Sequence, residues 1–99
     1  MPTSFELRAE RFPIRTKVWY RASRRPVWSP GESINISRSG ILFRAGKDIE
    51  PGTLIEMRIL FPADMTGGVP MDVVCTGPVV RQEASSMAAA ILNYRFKQE

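Results

Sequence analysis

Apolar and polar residues alternate in short runs along most of this 99-residue chain. A period of two puts successive side chains on opposite faces of a strand. From Lys17 to Ala22 the alternation puts Val18 and Tyr20 on one face and Trp19 and Arg21 on the other. From Leu54 to Phe61 it puts Ile55, Met57, Ile59 and Phe61 inside, with Glu56 and Arg58 outside. Between them, Glu32 to Phe43 has the form of a hairpin. Ile34 and Ile36 point one way, Asn35 and Ser37 the other; Ser37-Arg38-Ser39-Gly40 turns the chain and Ile41-Leu42-Phe43 resumes the pattern. Gly40 is free to take positive φ in that turn.

Breakers divide the rest. Arg24-Arg25-Pro26 interrupts the chain, Ser29-Pro30-Gly31 is a turn signal, and Gly46 to Gly52 is a loop. Trp28, between the first two, is expected to pack on the barrel. Pro62 to Pro70 is a connection, and Met71 to Glu83 a strand whose Gly77-Pro78 demands a bulge or an edge position. Residues 84–86 turn the chain again. Met87 to Phe96 carries alanines that favour helix, but Leu92, Tyr94 and Phe96 alternate, and we assign a closing strand. Residues 1–14 hold no period as a whole. The expectation is an all-β fold, a six- to seven-stranded antiparallel barrel over residues 15–97, preceded by a flexible basic arm over residues 1–14.

Composition narrows the setting. Hydrophobic content of 43% is ordinary for a globular domain, and no segment is apolar enough to insert in a membrane. The first eight residues lack the apolar core of a signal peptide. One cysteine and no histidine exclude an internal disulfide and argue against a structural zinc set. A cytoplasmic setting is expected, with Cys75 a small core residue. The net charge of +4 is uneven, with the first 25 residues at +5 and the remainder at −1. Eleven of the fourteen basic residues are arginines, which favours planar, bidentate recognition of an anionic partner. A solvated basic arm gives the same bias.

Catalytic signals are missing. No histidine is present for general-base work, and there is no Gly-x-Ser-x-Gly elbow, Walker loop or suggestive carboxylate pair. The reading is a binding domain with no enzyme activity, cofactor or metal. Basic residues with Trp19 and Trp28 also raise nucleic-acid binding, but such barrels interleave bases and aromatics along several strands, and here the basic region is confined to one end.

Asn35-x-Ser37-x-x-Gly40 resembles the (Asp/Asn)-x-Ser-x-x-Gly motif of the PilZ domain family. Ile41-Leu42-Phe43, Pro51-Gly52, Gly77-Pro78-Val79-Val80-Arg81 and Ala90 to Phe96 resemble its flanks, so that the likeness runs from about residue 7 to residue 97. The resemblance implies a small β-barrel that binds cyclic di-GMP, a bacterial second messenger with two phosphates and two guanines. It also implies a protein partner, and roles in motility, exopolysaccharide production or biofilm control. The family grips its ligand with an Arg-x-x-x-Arg arm and the hairpin motif. Arg11-Phe-Pro-Ile-Arg-Thr-Lys-Val18 resembles the run from the second arginine into the first strand, which puts Leu7 where the first arginine should be. The site expected from the resemblance is Arg11 with Arg8 or Arg15, and Asn35, Ser37 and Gly40. The alternative is a degenerate domain that binds no nucleotide and serves as a protein-interaction adaptor.

Overall fold

Seven strands run through the described residues: β1 (Lys17–Ala22), β2 (Ser29–Ile36), β3 (Gly40–Ala45), β4 (Leu54–Phe61), β5 (Met71–Glu83), β6 (Ser86–Ala90) and β7 (Asn93–Lys97). The structure is a computed structural model and describes residues 11–63 and 67–97. All strand pairs are antiparallel. The order is β4-β1-β2-β3-β6-β5, and a β4–β5 pairing closes these six into a barrel, with β7 added beside β5. The all-β barrel expected from the alternation is the fold found.

Strands β1 and β4 keep an unbroken period. Val18, Tyr20, Ile55, Met57 and Ile59 are buried, and they meet Phe43 and Met87 in a single core. The outward Arg21 and Arg58 pair with Glu56 and Asp72 at 2.7 and 2.6 Å. The Tyr20 and Phe43 rings lie 5.1 Å apart at the centre. The Tyr20 hydroxyl donates to the Lys47 carbonyl and accepts the Lys47 N–H at 3.1 Å, which ties down the β3–β4 loop. Burial pushes the Tyr20 phenol above its usual pKa, more than the hydrogen bond to Lys47 lowers it.

Ser29-Pro30-Gly31 is not a turn. These residues open β2, with Pro30 opposite Trp19 and Gly31 opposite Val18. Pro30 falls one residue beyond the first pair with β3, Gly31 with Ala45, so on that side no strand needs its missing N–H. Gly31 is required by crowding: a Cβ there would stand 2.5 Å from the Arg44 carbonyl oxygen and 3.2 Å from the Phe43 ring. The chain reverses earlier, through Arg24 at φ 72°, with the Arg25 N–H bonded to the Ala22 carbonyl. Trp28 lies half-buried with the Arg21 guanidinium 4.3 Å above its ring.

The closing strand assigned over Met87 to Phe96 is two strands. β6 pairs with β3 and with Val79–Glu83 of β5, and β7 pairs with Asp72 to Thr76 on the same edge of β5. Gly77 and Pro78 sit between the two partners, where nothing on that edge needs the N–H that Pro78 lacks. The connection from β6 to β7 crosses directly over Gly77, and a Cβ there would lie 1.8 Å from the Ala90 carbonyl oxygen. The Leu92 N–H then bonds to Thr76 O, starting β7. Gly77→Ala should therefore lower stability by about 3 kcal/mol or leave the chain unfolded. Gly46→Ala, where a Cβ meets nothing within 4 Å, should stay within about 0.5 kcal/mol of the parent in a urea titration.

Candidate ligand cleft on the outer barrel face

Two clefts matter, on different faces. The first crosses the outer surface of β2, β3, β6 and β5. It is lined by Arg11, Asn35, Ser39, Gly40, Arg81 and the alanines of β6, with a volume of about 260 Å³. Cross-strand register explains its shape. Asn35 pairs with Leu42, Leu42 with Ala88, and Ala88 with Arg81, so these four residues form one row across four strands. Three inter-strand steps separate the ends of the row by roughly 14 Å. The adjacent row pairs Gly40 with Ala90. Leu42, Val80 and the small residues of β6 thus form an apolar floor between a polar end and a cationic end.

Each end of the row depends on a β-bulge. In β2 the register shifts between Ser33 and Asn35, and in β5 between Val79 and Arg81. Ser33 and Ile36 are both buried although three residues apart, so Ile34 and Asn35 both turn away from the core. Likewise Val79 is buried while Val80 and Arg81 are both exposed. An extra residue in one strand re-aims the side chains that follow it. Simple alternation, which sets Ile34 with Ile36 and Asn35 with Ser37, fails here for this reason.

The arm joins the site through Phe12. Its N–H bonds to the Ile36 carbonyl at 2.8 Å, and the Ile36 N–H bonds back to Phe12 O at 2.9 Å. Ser33, with no exposed surface, fastens the next turn of chain. Its hydroxyl donates to the Ile14 carbonyl and accepts the Thr16 N–H at 2.9 Å, and the Ser33 N–H bonds to Thr16 O. Residues 12–16 are thus held along β2, and Arg11 is placed over Asn35, donating from Nη1 to Oδ1 at 2.7 Å. A charge-assisted bond of this kind orients the planar guanidinium at the cleft mouth.

The expected site residues are only partly brought together. Arg11, Asn35 and Gly40 line the cleft; Arg15 is exposed but does not line it, and Arg8 and Leu7 lie outside the described residues. Ser37 is buried, its hydroxyl spent inside the hairpin: it accepts the Ser39 and Gly40 N–H groups at 3.2 Å and donates to the Gly40 carbonyl at 3.3 Å. Gly40 does not take positive φ. What it needs is room, since a Cβ would stand 3.1 Å from the Ala89 carbonyl oxygen of β6. Two residues escaped sequence reasoning as parts of the site. Ser33 gave no signal, and Arg81 was visible only as the end of a Gly-Pro-Val-Val-Arg run.

The second cleft lies at one end of the barrel. It is almost wholly apolar, lined by Phe12, Ile14, Ile36, Phe61, Tyr94 and Phe96 among others, with Cys75 at its base. Val73 and Cys75 pair with Phe96 and Tyr94, so β7 carries the inner barrel surface outward. Leu92, Tyr94 and Phe96 are each more than half exposed. Burial pushes the Cys75 thiol up to about 11.

Among solved structures, the chain is similar to the crystal structure of the PilZ domain of CeSA from a cellulose-synthesizing bacterium. The TM-score is 0.67 at 10% identity, covering 85% of this chain and 81% of the other. No protein-family model and no curated protein matches the sequence. The barrel described above therefore has the PilZ-type fold.

Ser33→Ala would leave the Ile14 carbonyl and Thr16 N–H without their buried partner, costing about 1–3 kcal/mol. Hydrogen exchange at Thr16, Phe12 and Ile36 should accelerate with it, releasing Arg11 from Asn35. Cys75 should react with iodoacetamide at pH 8 far more slowly in the native protein than in urea. Because its folded pKa is raised, the stability it contributes is complete below about pH 9 and lost as pH rises toward 11; urea titrations across that window check it.

Proposed function

We propose that this chain is a PilZ-type receptor domain that binds cyclic di-GMP in the outer cleft and passes the signal to a protein partner. The observation that carries this reading is the Arg11–Asn35 pair at the mouth of the outer cleft. A guanidinium can grip a phosphate bidentately, or the O6 and N7 edge of guanine, and can stack on a base. Asn35 offers both an acceptor and two donors to a base edge. Ser37 acts from behind, holding the hairpin that presents Asn35, Ser39 and Gly40. The chemistry is binding rather than catalysis. The PilZ-type fold supports the reading, as does the hairpin motif on the cleft wall.

Transmission to a partner follows from the arm. Arg11 is joined directly to Phe12, which lines the apolar cleft. A ligand that draws Arg11 off Asn35 pulls on the residue that forms the rim of the other surface. The second reading is the adaptor that binds protein and no nucleotide. The exposed Phe12, Tyr94 and Phe96 favour it, because exposed apolar side chains gathered at one cleft mark an interaction surface.

Calorimetric titration of the purified domain with cyclic di-GMP, with GMP as control, separates the two readings. Saturable binding is expected. Arg11→Ala should weaken it by about 1.5–3 kcal/mol, roughly ten- to a hundredfold, with the circular dichroism spectrum unchanged. Absence of heat from the folded parent protein would sink the receptor reading and leave the adaptor.

A further inference from the structure

Leu7 stands where the resemblance expects an arginine, so one cationic hold on the ligand must come from elsewhere or be missing. The cleft contains a second guanidinium. Arg81 lines it together with Arg11 and Asn35, at the opposite end of the row that runs through Leu42 and Ala88. We infer that Arg81 of β5 is the second cationic ligand of the outer cleft, gripping the half of the cyclic dinucleotide turned away from Arg11. This rests on the nucleotide-binding reading above.

Three observations support the assignment. First, Arg81 reaches this face because of the bulge at Val80; in an unbroken strand, two residues after the buried Val79, it would point into the core. Second, the β6 strand between the two arginines offers only Ala88, Ala89 and Ala90 to the cleft and Gly40 adds no side chain, so a flat base can lie there against the sheet, with Leu42 and Val80 as apolar flanks. Third, the present partner of Arg81 is weak. Its Nε lies 3.1 Å from Glu83 Oε2, and both side chains are more than half exposed. Such a pair contributes little and is readily exchanged for a desolvated phosphate or guanine. The spacing also sets the ligand class. The row from Asn35, which Arg11 contacts, to Arg81 is three strand steps, roughly 14 Å along the sheet, which suits an anion with a charge and a base in each of two halves better than a mononucleotide.

The test is calorimetric titration of the full chain with cyclic di-GMP in the parent, Arg81→Ala and Arg81→Lys forms, with GMP titrated in parallel and folding checked by circular dichroism. Arg81→Ala should lose ten- to a hundredfold in affinity, and Arg81→Lys should recover only part, because the charge remains but the planar fork is gone. GMP should bind weakly and equally to the parent and Arg81→Ala. Tight binding by the parent with less than a fivefold loss in Arg81→Ala overturns the inference and leaves the receptor reading standing. No binding by the folded parent overturns both.

Discussion

A closed six-stranded barrel has no free edge on which to hang a seventh strand, so β5 must serve two neighbours in succession along one side. It pairs with β7 up to Thr76 and with β6 from Val79, while β4 occupies its other side from Met71 to Pro78. The exchange is possible because the chain crosses at a residue with no side chain, Gly77, followed by one with no N–H, Pro78. Closure of the barrel, the length of β6 and the outward course of β7 all follow. So do both clefts: the short β6 supplies the alanine floor of one, and the departing β7 opens the apolar wall of the other.

Alternation made the regular part of the fold legible. In β1 and β4 the inward Val18, Tyr20, Ile55, Met57 and Ile59 are buried, with Phe61 partly so at the strand end, and the outward arginines find cross-strand carboxylates, so period two was enough. It failed wherever a residue answered a demand made by a distant strand. Gly31 reads as a turn glycine, yet it makes room for the Arg44 backbone and the Phe43 ring; Gly40 reads as a positive-φ glycine, yet it makes room for β6. A local pattern cannot tell a glycine needed for its dihedral angles from one needed for its missing Cβ. The closing segment was one strand in the pattern and two in space, since Ala90 to Leu92 bends over a partner that lies far away in sequence.

The candidate cleft was legible in some of its residues but not in its geometry. Asn35, Ser37 and Gly40 stand in a recognisable spacing, but spacing does not show that Ser37 turns inward to hold the hairpin. Ser33 looked like an unremarkable strand serine; its burial and its two bonds to the arm exist only once residues 12–16 lie along β2. Arg81 was hidden for a related reason, since its direction is decided by a bulge that no residue type in Val79-Val80-Arg81 announces.

The two bulges also change how this surface responds to altered chain length. Most single-residue deletions in a strand either destroy the register or are absorbed in a neighbouring loop. Removing Ile34 or Val80 would instead restore an unbroken ladder, and with it a regular alternation. The barrel would keep its strands, and Asn35 or Arg81, now directly after the buried Ser33 or Val79, would keep its outward face. A loss of three nucleotides at either codon is thus a milder change to this surface than the same loss elsewhere in a strand, where the register would slip by one and turn every later side chain to the other face.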